Sequence, residues 1–201
     1  MRITAEEKKL TRQRILDAAI ELFRTRGYEP TTTRDIAVGA EIATGTLFNY
    51  FPTKEAIIAV LAEEALAKAH AAFNGRNSDG ELAEQLFAHV AVELRHLKPL
   101  RKFITPLLET SLSPLIASER GETTDSLRAD HLATVAQLAR KHGVAELSPV
   151  ALQVYWSLYI GVLAFWAADR SPKQEDTLAL LDQSLSMFAR WLQSERDEIP
   201  K

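Results

Sequence analysis

Apolar residues along this chain recur at helical spacing, and nowhere do they settle into the two-residue alternation of a half-buried strand. Between Thr11 and Arg26, the residues Ile15, Ala18, Ala19, Leu22 and Phe23 fall on one helical face, and Gly27 supplies the stop. Thr32 and Asp35 form a capping box, so a helix begins near Thr33 with Ile36 and Ala37 on its apolar side. Ile42 starts a new series with Leu47 and Phe51, which predicts a second short helix over about Thr44 to Tyr50. Thr53 then reads as the N-cap of a longer helix that carries Ile57, Val60, Leu61 and Leu66 toward Phe73, and NGRNSDG, residues 74–80, reads as a loop.

The second part is helical too. Leu82, Leu86, Val90, Leu94 and Leu97 predict a helix over 81–97, and Leu100, Phe103, Ile104, Leu107 and Leu108 continue its periodicity until Pro106 kinks or splits it. Pro114 and the polar run ERGETTD precede a helix at about 126–141, ended by Gly143. Ser148 with Pro149, and Ser171 with Pro172, each pair an N-cap residue with proline at the first helical position. Two long final helices result, about 149–168 and 172–194.

The last of these carries two apolar stripes. Leu178, Leu181, Leu185, Phe188 and Leu192 form one, and Leu180, Ser184, Met187 and Trp191 lie on a neighbouring face. One stripe satisfies the helix's own core; the other leaves an apolar surface of the kind that marks an interface. In the preceding helix Gly161, Ala164, Ala167 and Ala168 are small enough for another helix to approach closely. The pattern predicts an all-α chain in two parts, residues 1–55 with a linking helix to about 73, and residues 56–201.

Composition adds limits. An apolar fraction of 46% over 201 residues supports a buried core, no uninterrupted run of about 18 apolar residues appears, and MRITAEEKKL lacks the apolar stretch of a signal peptide. The expectation is a cytoplasmic protein with no membrane segment. The lack of cysteine fits that placement and excludes disulfides, thiolate metal sites and thiol nucleophiles. Net charge is −3, but residues 1–60 carry +1 against −4 for the rest, with Arg2, Lys8, Lys9, Arg12 and Arg14 near the start. Phosphate contacts need local rather than net charge; a solvated helix start has the same appearance.

The surface of the 44–50 helix is unusual in being uncharged. Thr44, Gly45, Thr46, Phe48 and Asn49 lie away from the Leu47/Phe51 face, with Arg34 and Lys54 nearby. Threonine and asparagine bond base edges, glycine admits close backbone approach, and flanking cations take phosphates. Lys54 opposes the dipole of the helix it opens, which suits an anion placed before that N-terminus. A solvated helix pair within an all-α protein is the plainer reading of the same residues.

The residue order goes further. Thr32, Arg34, Asp35, Ile36 and Ala37, followed after a turn by Gly45, Thr46, Leu47, Phe48, Asn49, Tyr50, Phe51, Lys54 and Glu55, closely resemble the DNA-binding region of the TetR family of transcriptional regulators. The resemblance covers about residues 10–60. It implies an N-terminal three-helix helix-turn-helix DNA-binding domain and a C-terminal helical ligand-binding and dimerisation domain. The candidate DNA contacts are then Thr33, Arg34, Thr44, Gly45, Thr46, Asn49, Tyr50 and Lys54. Three positions depart from the family pattern: Glu41 stands where a turn glycine is usual, Ala43 where a capping serine is usual, and Phe48 where tyrosine is usual. They predict a strained turn, an uncapped helix start and one phosphate donor fewer.

Catalytic and metal-binding constellations are not evident. His70, His89, His96, His131 and His142 make no i, i+4 histidine pair and no H-E-x-x-H pattern, and no phosphate loop or G-x-S-x-G elbow occurs. The chain reads as no enzyme, with no cofactor and no metal. His89 and His131 lie near the apolar faces of their helices, either as hydrogen-bonded core histidines or as polar groups in a cavity. In the cavity reading they join Phe87, Phe103, Leu107, Tyr155, Trp156, Tyr159 and Trp166 as candidate effector contacts.

The resemblance implies a repressor that binds a palindromic double-stranded DNA operator as a homodimer formed by the last two helices and is released by a small-molecule effector. The rival reading keeps the fold but not the function: a helical protein-interaction module in which Glu41, Ala43 and Phe48 have removed DNA binding.

Overall fold

A computed structural model describes residues 4–74, 79–105, 108, 122–144 and 146–197, all of its regular structure among them helical. The chain divides into two compact units, Met1–Ala62 and Glu63–Lys201. The division falls inside the linking helix, seven residues beyond the 55/56 boundary read from the sequence.

In the first unit α1 (Ala5–Arg26) starts earlier than its apolar stripe, because Thr4 and Glu7 close a capping box that periodicity does not register. Ile15, Leu16, Ala19 and Phe23 are its buried side, and Gly27 ends it at φ 91°. Then follow α2 (Thr33–Gly39), capped by Thr32 and Asp35 as expected, and α3 (Thr44–Phe48). Gly39 lets α2 close on α1: a Cβ there would stand 3.3 Å from that of Ala18. Ile36, Ala37, Leu47, Phe51, Ile57 and Ile58 complete the core, the last two from α4 (Lys54–Asn74), whose N-cap is Thr53.

The second unit takes the later part of α4, then α5 (Leu82–Leu97), a 3-10 turn (Lys98–Phe103), α6 (Glu122–Lys141), α7 (Pro149–Ala168), a second 3-10 turn (Pro172–Gln174) and α8 (Glu175–Asp197). α8 packs on α5 and α7, and α6 packs on α5. The first 3-10 turn is tied to the end of α7 by Arg101, whose guanidinium lies over the Trp166 ring and donates to the carbonyls of Trp166 and Asp169. Pro106, Pro114, the middle of the 74–80 loop and the start of the ERGETTD run lie outside the described residues.

The last helix begins later than its Ser-Pro signal suggests. Lys173 and Gln174 have φ values of 53° and 62°, which no α-helix accepts, so Pro172 opens a tight turn rather than α8. The cause is Asp169. Its carboxylate accepts the backbone N–H groups of Ser171 and Thr177 and the Thr177 hydroxyl, drawing the chain into a corner, while Ser171 Oγ accepts from Asp176 N. Ser148 does cap α7 in the expected way, through Ala151 N.

By length and mean hydropathy of 1.5, α7 could cross a bilayer, since only Gln153 and Ser157 interrupt its apolar sequence. Here 44% of its most apolar 18-residue stretch is buried, Tyr155, Tyr159, Val162, Leu163 and Trp166 among the buried residues. Its other side leaves Val150, Val154, Phe165 and the small residues Gly161, Ala164 and Ala168 exposed.

Candidate functional site

Among the described residues, two places concentrate exposed or buried chemistry without a purely structural explanation. In the first unit it is α3 and the turn before it. Glu41 sits at φ 55°, its N–H bonded to the Val38 carbonyl while Ile42 N reaches the Ala37 carbonyl. That is a Schellman motif with glutamate in the left-handed position that glycine ordinarily fills, at a cost of roughly 1–2 kcal/mol. Ala43 opens α3 with no side-chain cap, which forgoes about 1 kcal/mol.

The helix spans five residues and ends at Phe48, short of the expected Tyr50. Asn49 and Tyr50 turn away on i→i−3 bonds to Thr46 and Leu47. Leu47 is fully buried and anchors it. Gly45 and Asn49 are exposed, and Thr44, Thr46 and Tyr50 are half-buried. A Cβ on Gly45 would meet nothing within 4 Å, so packing inside the unit does not require glycine there. Arg34 is exposed on α2 and Thr33 half-exposed beside it; Phe48, on α3, is 48% exposed.

Lys54 differs from expectation. Its ammonium does not stand free before the α4 N-terminus: it donates to the Tyr28 carbonyl at 2.8 Å and lies 4.1 Å over the Tyr28 ring. Tyr28 in turn donates its hydroxyl to Glu55. Burial, followed by that carboxylate, pushes the Tyr28 phenol far above its usual value. Lys54 therefore braces the connector between α1 and α2, the segment that aims α2.

In the second unit a cavity of about 600 Å³ opens between the later turns of α4, α5 and α6. Glu63, Leu66, Ala67 and His70 come from α4, His89 and Glu93 from α5, and Asp130, His131, Ala133, Thr134, Gln137 and Arg140 from α6. Glu93 is the centre of its polar end. Its Oε1 lies 2.9 Å from His131 Nδ1 and 3.5 Å from His89 Nε2, and all three side chains are buried. Burial pushes the Glu93 carboxyl up, but the adjacent His131 and His89 and the hydrogen bond with His131 hold it below the ordinary value. Burial drives His89 the other way, down to about 4, so its imidazole is neutral near pH 7.

Of the effector contacts expected from sequence, His89 and His131 line this cavity. Tyr155, Trp156 and Tyr159 stand behind His131 instead: the Tyr159 ring lies tilted against it at 4.1 Å, Trp156 meets it edge-on, and Tyr155 shares a hydrogen bond with its Nε2 at 3.1 Å. Trp166 is a fully buried core residue that donates to Gln174, Phe103 is buried, Phe87 is half-buried, and Leu107 lies outside the described residues. Glu93 is the site residue that sequence patterns do not single out. Its one local signal is the four-residue spacing from His89, which puts the two on a shared helical face, and that spacing is equally common on solvated helices.

Comparison with known proteins separates the two units. The family model described as "Bacterial regulatory proteins, tetR family" matches residues 15–61, from within α1 into α4. The transcriptional repressor KstR of Rhodococcus jostii is 40% identical over 63 residues, 31% of this chain and 30% of its own. The HTH-type transcriptional regulator YvkB of Bacillus subtilis, itself uncharacterized, is 26% identical over 92% of this chain and 98% of its own. Among solved structures, Thermus thermophilus FadR, a TetR-family repressor in complex with lauroyl-CoA, is 28% identical with a TM-score of 0.67, covering 90% of this chain and 92% of its own. A TetR regulator from Rhodococcus sp. RHA1 reaches a TM-score of 0.71 at 18% identity, a likeness of fold. With the capping box, the short uncharged α3 and the helical second unit already in place, these matches agree: residues 15–61 match the DNA-binding region of the TetR family, and the chain over most of its length is similar to TetR-family bacterial transcriptional regulators.

Proposed function

We propose that this regulator is a cytoplasmic repressor that binds a palindromic operator as a homodimer and releases it when a small molecule occupies the helical unit. The observation that carries the DNA reading is the α3 surface. It offers Thr44, Thr46 and Asn49 as hydrogen-bonding groups, an exposed glycine whose missing side chain no internal contact demands, and Arg34 alongside. Such a surface suits base edges and phosphates better than it suits packing. Thr33, Tyr50 and Lys54 complete the proposed contact set, with Lys54 acting mainly by holding the connector that positions α2.

The effector reading rests on the cavity at α4, α5 and α6, whose volume lies within the range of small-molecule sites. The lauroyl-CoA held by the FadR relative supports a ligand of comparable kind in this fold. An effector that binds the DNA-incompetent state more tightly must weaken operator binding, and by reciprocity the operator must weaken effector binding.

The homodimer is proposed to form through α7 and α8. Two-fold symmetry then sets a pair of α3 helices on successive major grooves, which makes the operator a palindrome. Selection of bound fragments from random DNA by the purified protein tests the proposal. Enrichment of a short inverted repeat is the expected result; no enrichment at low salt would overturn it.

A further inference from the structure

We propose that His89, Glu93 and His131 form a binding site for one divalent transition-metal ion of the zinc class. The three donor atoms lie within 4.8 Å of one another, and all belong to buried side chains. Helical spacing puts His89 and Glu93 on one face of α5, and the packing of α6 on α5 brings His131 to them. A tetrahedral zinc ion with bonds of about 2.0–2.1 Å holds its ligands about 3.3 Å apart. The two histidine–glutamate separations, 2.9 and 3.5 Å, bracket that spacing, so adjustment of the imidazoles by about 1 Å closes the site.

The surroundings of each ligand fit the same role. His89 is buried, yet neither ring nitrogen has a hydrogen-bond partner, whereas buried polar groups nearly always have one. A metal ion on Nε2 gives the ring a partner that no protein group offers it. His131 presents Nδ1 to the cluster, and its Nε2 is paired with the Tyr155 hydroxyl. If Nε2 carries the proton and donates to that oxygen, Nδ1 is left with its lone pair facing the cluster, the outer-shell arrangement that fixes the tautomer of a metal-bound histidine. The Tyr159 ring lies 4.1 Å from that of His131, which holds the imidazole in place. Two imidazoles and one carboxylate suit a borderline ion, and three protein ligands leave a position for water or an exogenous donor. The three ligands line the cavity, so a molecule bound there with a carboxylate, hydroxyl or similar donor meets that position.

The site is tested without DNA or effector, so its fate is separate from that of the repressor reading. The untagged full chain is stripped with a chelator, dialysed and titrated with Co2+, then with Zn2+. The expected result is one equivalent of Co2+ per chain with the intense visible bands of a low-coordinate ion, displaced by one equivalent of Zn2+. His89→Gln, which removes a side chain that makes no hydrogen bond, should lower Zn2+ affinity by about 10–100-fold or more while circular dichroism stays native. Should that variant fail to fold, imidazole resonances of the wild-type chain decide: Zn2+ must shift those of His89 and His131 and leave His96 unmoved. A Co2+ spectrum no different from the hydrated ion, equal Zn2+ affinity in a folded His89→Gln protein, or unshifted His89 and His131 resonances would each overturn the proposal.

Discussion

Glu41 holds the least favourable backbone conformation in the reading unit, and the strain is legible in the residues themselves, because a glutamate in a glycine turn is a local conflict. Replacing it by glycine removes a left-handed cost of roughly 1–2 kcal/mol, offset in part by the freer unfolded chain, about 0.4–1 kcal/mol. It also removes a negative charge from beside the proposed phosphate path. Glu41→Gly should therefore unfold at slightly higher denaturant and bind DNA more tightly; unchanged or weaker binding in a titration would mean the turn already serves its purpose with glutamate. Lys54 is the opposite case. Its bond to the Tyr28 carbonyl spans 26 positions, and no pattern of neighbours announces it. Lys54→Ala should lower the melting temperature of the first unit and weaken binding to operator and random DNA alike. A variant with native stability and a reduced salt slope would instead assign Lys54 directly to phosphate. The pairing of Glu93 with His131, 38 positions away, is illegible for the same reason.

Helix starts and stops are legible where a local cap adjoins the apolar series, as at Thr32, Gly27 and Ser148; they are misplaced where the cap precedes that series, as at Thr4, or where a distant or competing bond intervenes. At the start of α8 the competitor is the Asp169 corner. Hydrogen bonds from Thr177, and also from Ser171, hold the Asp169 carboxyl well below its ordinary value of 3.8 against the opposing effect of burial. A depressed carboxyl stabilises the fold above its unfolded value and loses that contribution as pH falls below it. The melting-temperature gap between wild type and Asp169→Asn should thus be constant from pH 5 to 7, to within about a degree, and shrink below about pH 4; a gap independent of pH would contradict the assignment. The two stripes of α8 separate into a buried and an exposed face, with Leu178 and Ser184 exchanged. Leu181, Leu185, Phe188 and Leu192 are buried, whereas Leu180 and Met187 are 37% and 52% exposed and Trp191 is half-buried. Leu178, expected in the core, is 40% exposed and joins the outer set, while Ser184 is buried and leaves it. With Phe165 and the small residues of α7, these form an apolar surface that a lone chain would leave to water. Met187→Glu with Trp191→Glu should convert a sedimenting dimer to monomer at micromolar concentration. A double variant that stays dimeric would place the interface elsewhere.

Two units, each with its own core, suit a regulator: one carries the surface proposed to read DNA and the other a cavity whose occupancy would bias the proposed dimer. The all-α class and the reading unit follow from periodicity and caps because their determinants are local. The cavity does not, because it is made by three helices whose packing no single stretch encodes, and the aromatic series of α7 braces His131 from behind instead of lining the space. In the proposed homodimer, dimerisation is what couples the two sites. If the second unit sets the spacing of two α3 helices, the charged α8 variant should lose operator affinity although neither substituted residue belongs to the reading unit. Everything in the repressor reading depends on α3 meeting base edges, and Asn49, exposed at its end, is the residue on which that can be decided. The measurement is the affinity of wild type and Asn49→Ala for the selected palindrome and for random duplex at the same salt. The account predicts a loss of about 1–3 kcal/mol on the palindrome and almost none on random DNA, hence a collapsed specificity ratio. Equal losses on both sequences would contradict it.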